Sequence, residues 1–200
     1  MKKIKYAIIG AGTMGLEHIQ NISLIKNAEV VAISDIHKNS LIKIKKKFKN
    51  NFLYFKSHKE LIKKNIVDVY IISTPNFTHL KILKDVIKTK KHILIEKPLT
   101  INTKECLKLK KLSKNYPSLI WTAMEYRYMP PVNKFINKIH KKSIGKLKML
   151  SIREHRFPFL KKVKNWNRFS KNTGGTFVEK SCHFFDLMRL IVQSEPISVY

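Results

Sequence analysis

Cysteine, arginine and acidic residues are all scarce in this chain of 200 residues. There are 2 Cys and 13 Asp+Glu, and only five of the 41 basic residues are arginine. Two cysteines, Cys106 and Cys182, cannot build a disulfide scaffold, and their use fits a reducing compartment, so a cytoplasmic location is expected. No apolar run approaches the roughly 18 residues a membrane span needs. Met1-Lys2-Lys3-Ile4-Lys5 has the basic start of a secretory signal, but the apolar stretch after it is short and ends in glycines, so no such signal is expected. Disorder and collagen-like structure are excluded by the 44% of residues that are hydrophobic. The length allows one domain or two small ones.

The shortage of acids leaves a formal net charge of +28. Such a charge invites a nucleic-acid reading. Arginine, whose planar fork matches phosphates and base edges, is nevertheless nearly absent. The lysines also lie on the outer faces of helices. In 38–49, Leu41, Ile44 and Phe48 make an apolar stripe and lysines take much of the rest. A solvated, biased surface is therefore expected, with salt-sensitive polyanion contacts and no specific nucleic-acid partner.

Strand and helix patterns alternate along the first 120 or so residues. Strands are predicted over 3–9, 29–34, 52–55, 67–73, 92–95 and 118–124, with helices running to about Lys26, over 38–49, from Ser57, over 77–89 and over 102–114. This rhythm predicts βαβ units, hence an α/β doubly wound parallel sheet of Rossmann type. A boundary near 122–126 divides residues 1–123 from 124–200. The second part reads as the beginning of an α+β domain. It has a helix over 130–142, a strand over 146–157, a polar aromatic loop over 158–172, a helix from Gly174 to Val192 and a strand starting at 196–200.

Gly10-Ala11-Gly12-Thr13-Met14-Gly15 fits G-x-G-x-x-G between a predicted strand and a predicted helix. Gly10 permits the tight turn, Gly12 lets the backbone approach a pyrophosphate, and Gly15 allows close helix–strand packing. The helix that opens at Thr13 offers free N–H groups to phosphates. Asp35 ends the second strand, where a carboxylate accepts ribose hydroxyls and repels a 2′-phosphate. NAD is therefore expected, with His37 and Lys38 beside Asp35 leaving NADP open.

Three later segments add to the glycine loop: Ser73-Thr74-Pro75-Asn76 with His79, then Glu96-Lys97-Pro98, then Gly174-Gly175 leading to His183 and Asp186. With these, essentially the whole chain resembles the glucose–fructose oxidoreductase/inositol dehydrogenase (Gfo/Idh/MocA) family. The resemblance implies a nicotinamide-dependent oxidoreductase acting on a secondary alcohol or ketone of a sugar or cyclic polyol. It implies that Thr74, Pro75, Asn76, His79, Glu96 and Lys97 join Gly10, Gly12, Thr13, Met14, Gly15 and Asp35 at the cofactor. His79 could equally serve packing. Family members are longer and complete the second domain with a large, mostly antiparallel sheet that forms the subunit interface. The chain therefore reads as C-terminally truncated, with a homo-oligomer through the second domain possible. The family has Asp four residues before the helix histidine, where this chain has Glu179.

Hydride transfer from an alcohol needs a base for the hydroxyl proton and a cation for the developing alkoxide. Lys97, at the C-terminal end of a parallel strand, is the candidate cation. On the helix predicted from about Gly174, Glu179 and His183 are i and i+4 and share a face, so the carboxylate is expected to orient the imidazole and raise its pKa, as suits an acid–base residue. Tyr126, Trp166 and Arg168 are candidate substrate contacts, although Arg168 could belong to a packed surface loop. Arg127 is read as an ion-pair partner and Asp186 as structural or substrate-shaping. Cys182 is adjacent to His183, but neighbours on a helix point about 100° apart, and no second ligand pair lies at metal spacing, so no metal is expected. The competing reading is a truncated, non-catalytic nucleotide-binding protein of the same fold.

Overall fold

Short runs of Ile, Val, Tyr and Ala pair into a six-stranded sheet: β1 (Ile4–Ile9), β2 (Ala28–Ser34), β3 (Leu53–Phe55), β4 (Val69–Ile72), β5 (His92–Ile95) and β6 (Ile120–Thr122). The computed structural model describes residues 2–49, 51–155, 157, 158 and 160–200. All neighbouring strands are parallel, and their order is β3-β2-β1-β4-β5-β6. Parallel strands need crossovers, supplied by α1 (Thr13–Ser23), α2 (Lys38–Lys47), α3 (His58–Lys64), α4 (His79–Val86) and α5 (Thr103–Ser113).

The strand period of two puts successive residues on opposite faces. Ala7, Ile9, Tyr70 and Ile72 join Leu61, Leu83, Val86 and Leu109 of α3, α4 and α5 in one buried cluster. Ile8, Ile33 and Ile71 join Ile19 and Ile22 of α1 and Leu41 and Ile44 of α2 in the other. Full burial of each such side chain contributes roughly 1.5–3 kcal/mol. The sheet is thus covered on both sides, as a parallel sheet requires. Ser57 and Asn102 accept the amides of Glu60 and Glu105, and so start α3 and α5.

The chain order reverses between β1 and β4, the switch point where ligands sit beyond the carboxyl ends of the strands. The glycine loop, the 73–76 turn and the 96–98 turn follow β1, β4 and β5 at that edge.

Beyond residue 124 the described residues are helical or irregular. A 3-10 turn (Glu125–Tyr128) leads into α6 (Pro130–His140). A second 3-10 segment (Val163–Arg168) is followed by α7 (Ser170–Thr173), α8 (Thr176–Glu179) and α9 (Cys182–Val192). Ile136 and Ile139 of α6 pack on Leu187 and Ile191 of α9 as a third core.

Three expectations are corrected. The described residues of 146–157 form no strand; Leu147, Leu150 and Ile152 pack on the third core instead. Residues 196–200 form no strand either. Both stretches have apolar spacing compatible with a strand, yet among the described residues no neighbouring strand completes a ladder with them. The helix expected from Gly174 to Val192 is broken after Glu179: Lys180 (φ −111°, ψ −50°) and Ser181 separate α8 from α9. Met1, Arg156 and Phe159, which fall within the sequence readings, lie outside the described residues. Among the described residues, no helix is long and apolar enough to cross a membrane.

Ile71, 1% exposed on the central β4, tests the dominance of this sheet. Ile71→Ala is expected to lower unfolding stability by about 2–5 kcal/mol, read from urea titrations followed by circular dichroism.

Candidate functional site

The glycine loop is shaped by contact as much as by conformation. Gly10 has φ +104°, and a Cβ there would lie 2.6 Å from the Ser73 carbonyl oxygen. At Gly15 a Cβ would fall 2.0 Å from the Gly10 oxygen. Ser73 Oγ reinforces the approach by donating to Gly10 O at 2.9 Å. Gly12, the N-cap of α1, has nothing within 4 Å of an added Cβ, and no side chain caps the first amides of the helix. Thr13 and Met14 sit in that first turn. The open side of Gly12 and the uncapped amides form a cradle that fits a pyrophosphate.

Asp35 follows β2. Its Oδ2 accepts Ala11 N–H at 2.7 Å and its Oδ1 accepts His37 N–H at 2.7 Å. Both oxygens retain capacity for a ribose hydroxyl. At the 73–76 turn, Thr78 Oγ1 lies 2.6 Å from Pro75 O and 2.7 Å from Thr74 Oγ1. Asn76 is buried, and its Nδ2 has no partner among the described residues, which leaves a donor at the crevice. His79 is fully buried, with Nδ1 2.9 Å from Pro98 O and Nε2 2.9 Å from Thr74 O. It joins the two turns that border the crevice. Burial pushes its proton affinity down, against the pull of the Thr74 and Pro98 carbonyls. A neutral ring satisfies one of these carbonyls at a time.

Glu96 is buried, and its Oε1 lies 2.7 Å from Nε2 of His18 on α1. This pair ties the glycine-loop helix to the 96–98 turn, where the Lys97–Pro98 peptide is cis. Lys97 is half-buried, and its Nζ donates to Glu179 O at 3.1 Å. Glu179 thus presents a backbone oxygen to Lys97 from the last residue of α8.

His183 is 1% exposed in the first turn of α9. Its ring stacks on Tyr126 at 4.1 Å between centroids and 7° between planes. Its Nε2 lies 3.4 Å from Glu125 Oε1, and its Nδ1 has no hydrogen-bond partner among the described residues. The carboxylate at the imidazole therefore comes from Glu125, in the turn after β6. Because α8 and α9 are separate, the i, i+4 geometry expected for Glu179 does not apply. The expected rise in imidazole pKa is also reversed. Burial, then the ammonium groups of Lys97 and Lys180, lower it from the ordinary 6.5 to about 3, with Asp186 and Glu154 opposing.

The aromatic loop packs back onto the first domain. Trp166 meets Phe77 edge-on at 6.3 Å, and a Cβ on Gly174 (φ +79°) would lie 2.4 Å from Ile101 O. Arg168 is exposed at the end of the same 3-10 segment. Arg127 makes a two-pronged ion pair with Asp186. Cys182 Sγ lies 3.6 Å from Glu179 O, and no group of three or more metal-type ligands occurs among the described residues.

His18, Phe77, Glu125, Glu154 and Lys180 do not stand out in the sequence. Each gains its place from a partner distant in the chain, such as Glu96 for His18, 78 residues away. No local spacing marks such pairs.

The parallel sheet and the glycine cradle define a Rossmann-type NAD-binding domain, and comparison with known proteins gives the same class. Residues 4–123 match the Gfo/Idh/MocA family described as "Oxidoreductase family, NAD-binding Rossmann fold", and residues 136–200 match "Oxidoreductase family, C-terminal alpha/beta domain". The chain belongs to the Gfo/Idh/MocA oxidoreductase family. It is 28% identical over 199 residues to myo-inositol 2-dehydrogenase of Thermotoga maritima, covering 98% of this chain and 57% of that protein. It is also 28% identical over 201 residues to glucose-6-phosphate 3-dehydrogenase of Bacillus subtilis, covering 99% of this chain and 56% of that protein. The crystal structure of a probable dehydrogenase from Thermotoga maritima superimposes with a TM-score of 0.81 at 26% identity, over 96% of this chain and 56% of the other. The chain thus spans a little over half the length of these relatives.

The lowered imidazole pKa has a consequence for stability. Between about 6.5 and about 3 the unfolded chain holds a proton on His183 that the folded chain does not. Stability is therefore expected to fall as pH is lowered through that window, by up to about 1.4 kcal/mol per pH unit from this group. Urea midpoints at pH 7 and pH 5 check this: the drop should be smaller in His183→Asn than in the parent chain.

Proposed function

We propose that this chain carries the active centre of an NAD-dependent dehydrogenase that oxidises a secondary alcohol of a sugar or cyclic polyol. The observation that supports this reading most is the meeting of Lys97 with the segment that carries His183, at the carboxyl edge of the parallel sheet. When bound, the nicotinamide supplies the hydride acceptor. Gly12 and the amides opening α1 would hold its pyrophosphate, Asp35 would accept the adenosine ribose hydroxyls, and Asn76 would offer a donor to the nicotinamide ribose or ring. Thr13, Met14, Gly10 and Gly15 shape the cradle, while Thr74, Pro75, His79 and Glu96 hold the two bordering turns.

The Lys97 ammonium donates to the substrate oxygen and stabilises the developing alkoxide, for which a fixed cation in a shielded site is well suited. His183, neutral at pH 7, has a lone pair for the hydroxyl proton. With Nε2–H directed at Glu125, that lone pair is on Nδ1, which is buried and has no partner among the described residues, so the ring is a weak base that takes the hydroxyl proton only from a substrate seated against it. Glu179 contributes its carbonyl to Lys97. Tyr126, Trp166 and Arg168 border the substrate, and Arg168 suits an oxygen-rich ligand. A 2′-phosphate would meet the Asp35 carboxylate, so NAD is preferred over NADP.

The test is a fluorescence titration of the purified chain with NADH and NADPH, followed by NAD reduction with inositols and sugars. NADH is expected to bind more tightly than NADPH, and Asp35→Ser to narrow the difference. Lys97→Ala should keep NADH affinity within a few-fold and lower turnover by about 10²–10³. Binding of neither nucleotide would overturn the reading. Binding of NADH with no turnover on any cyclitol or sugar would favour the non-catalytic, nucleotide-binding alternative.

A further inference from the structure

Lys180 is the one lysine fully withdrawn from solvent among the described residues, at 5% exposed. It stands where the chain leaves α8 and before α9 begins, and its side chain turns inward. The ammonium forms an ion pair with Glu154 Oε1 at 2.9 Å and donates to the Tyr126 hydroxyl. The Tyr126 hydroxyl in turn donates to Glu154 Oε1 at 3.1 Å. Three segments distant in sequence thus share one polar knot around a buried ammonium, with Glu154 reaching it from the exposed side: the turn after β6, the irregular stretch carrying Glu154, and the break between the two helices.

A buried ammonium is tolerated only when paired and hydrogen-bonded, and here it has both. Its neighbours matter more. The residue before it, Glu179, offers its carbonyl to Lys97, and three residues on His183 lies flat on the same Tyr126. We propose that Lys180, clamped by Glu154 and Tyr126, is a positioning residue that fixes the Glu179 carbonyl under the Lys97 amine and sets the charge around the His183 imidazole. This rests on the dehydrogenase reading for the roles of Lys97 and His183.

The charged groups around His183 come from every element that packs there. Glu125 lies in the turn after β6, Lys97 follows β5, and Lys180 lies in the helix break. Glu154 lies in the irregular stretch, and Asp186, in ion pair with Arg127, is one turn along α9. Lys180 and Glu154 act on the imidazole with opposite sign. A charge role and a packing role therefore make different forecasts. If the knot only packs, breaking it at either end loosens the pocket, wets His183 and moves its titration up in both cases.

The experiment follows the His183 ring protons by NMR as pH is lowered, in the parent chain, Lys180→Met, Glu154→Gln and Lys180→Arg. Lys180→Met is expected to raise the titration midpoint by about one pH unit. Glu154→Gln should lower it or push it below the accessible range, and Lys180→Arg should stay near the parent. Upward shifts in both Lys180→Met and Glu154→Gln, or no shift in Lys180→Met, would overturn the proposal. If Lys180→Met fails to fold, the direction in Glu154→Gln decides: downward supports the proposal and upward overturns it. NADH binding is measured on the same samples. Its loss in the parent chain would sink the dehydrogenase reading, while the ring titration would still decide the role of the charge.

Discussion

The close approach of the Gly10 backbone to the Ser73 carbonyl is the contact from which the crevice is built. With 2.6 Å between an added Cβ and that oxygen, no side chain fits at residue 10 without moving the backbone. The approach lets the loops after β1 and β4 leave the sheet in opposite directions while touching at their base. The opening beyond them is where α1 presents its uncapped amides and the 73–76 turn presents Asn76. Gly15 repeats the constraint one layer deeper, pressing α1 against the loop it follows. The third wall is held by side chains, with His18 on α1 gripping Glu96 and His79 joining the two turns. The first domain thus sets its crevice through backbone proximity at one end and buried polar pairs at the other.

That first domain is legible in the sequence because its signals are local. Buried parallel strands read as short apolar runs, and the GAGTMG and Glu96-Lys97-Pro98 segments occur where a strand ends, so each motif comes with its own context. Domain order and the parallel sheet follow from the same rhythm. The second part resists for physical reasons. Residues 146–157 have apolar spacing compatible with a strand, but a strand exists only when a neighbour pairs with it. From Thr176 to Val192 the sequence contains no Pro or Gly to announce a helix end, yet Lys180 turns inward to reach Glu154 and Tyr126 and the helix stops. A tertiary ion pair overrides local propensity there. With the break goes the expected Glu179–His183 pairing, and Glu125, reached through the fold, stands beside the imidazole instead.

Three nitrogen groups, Lys97, Lys180 and His183, are gathered in one poorly solvated region. Burial and the two nearby ammonium groups together oppose a further positive charge on the ring. An ordinary imidazole is already mostly neutral at pH 7, so giving up its charge costs well under about 1 kcal/mol. A buried ion, by contrast, carries a penalty of several kcal/mol unless it is paired. The least costly arrangement keeps the pairing of Lys180 with Glu154, keeps the hydrogen bond of Lys97 to the Glu179 carbonyl, and leaves His183 uncharged. One carboxylate placed beside the ring, with both lysines and the burial left out, gives the opposite sign, and helical spacing alone supplies no more than that carboxylate.

The same comparison explains why a chain of +28 net charge need not be a polyanion-binding protein. A lysine on an outer helix face keeps its hydration, and its field is screened within about 10 Å at ordinary salt. Each such residue adds little to stability or specificity, whatever the total. Lys180 has the same side chain but has given up its water, so its charge acts in a medium of low effective dielectric, where a unit charge a few ångströms away is felt several-fold more strongly. Composition counts all 36 lysines alike. What distinguishes this one is the carboxylate and the phenol that the fold delivers to it, and that difference turns an ordinary surface residue into part of the machinery around the imidazole.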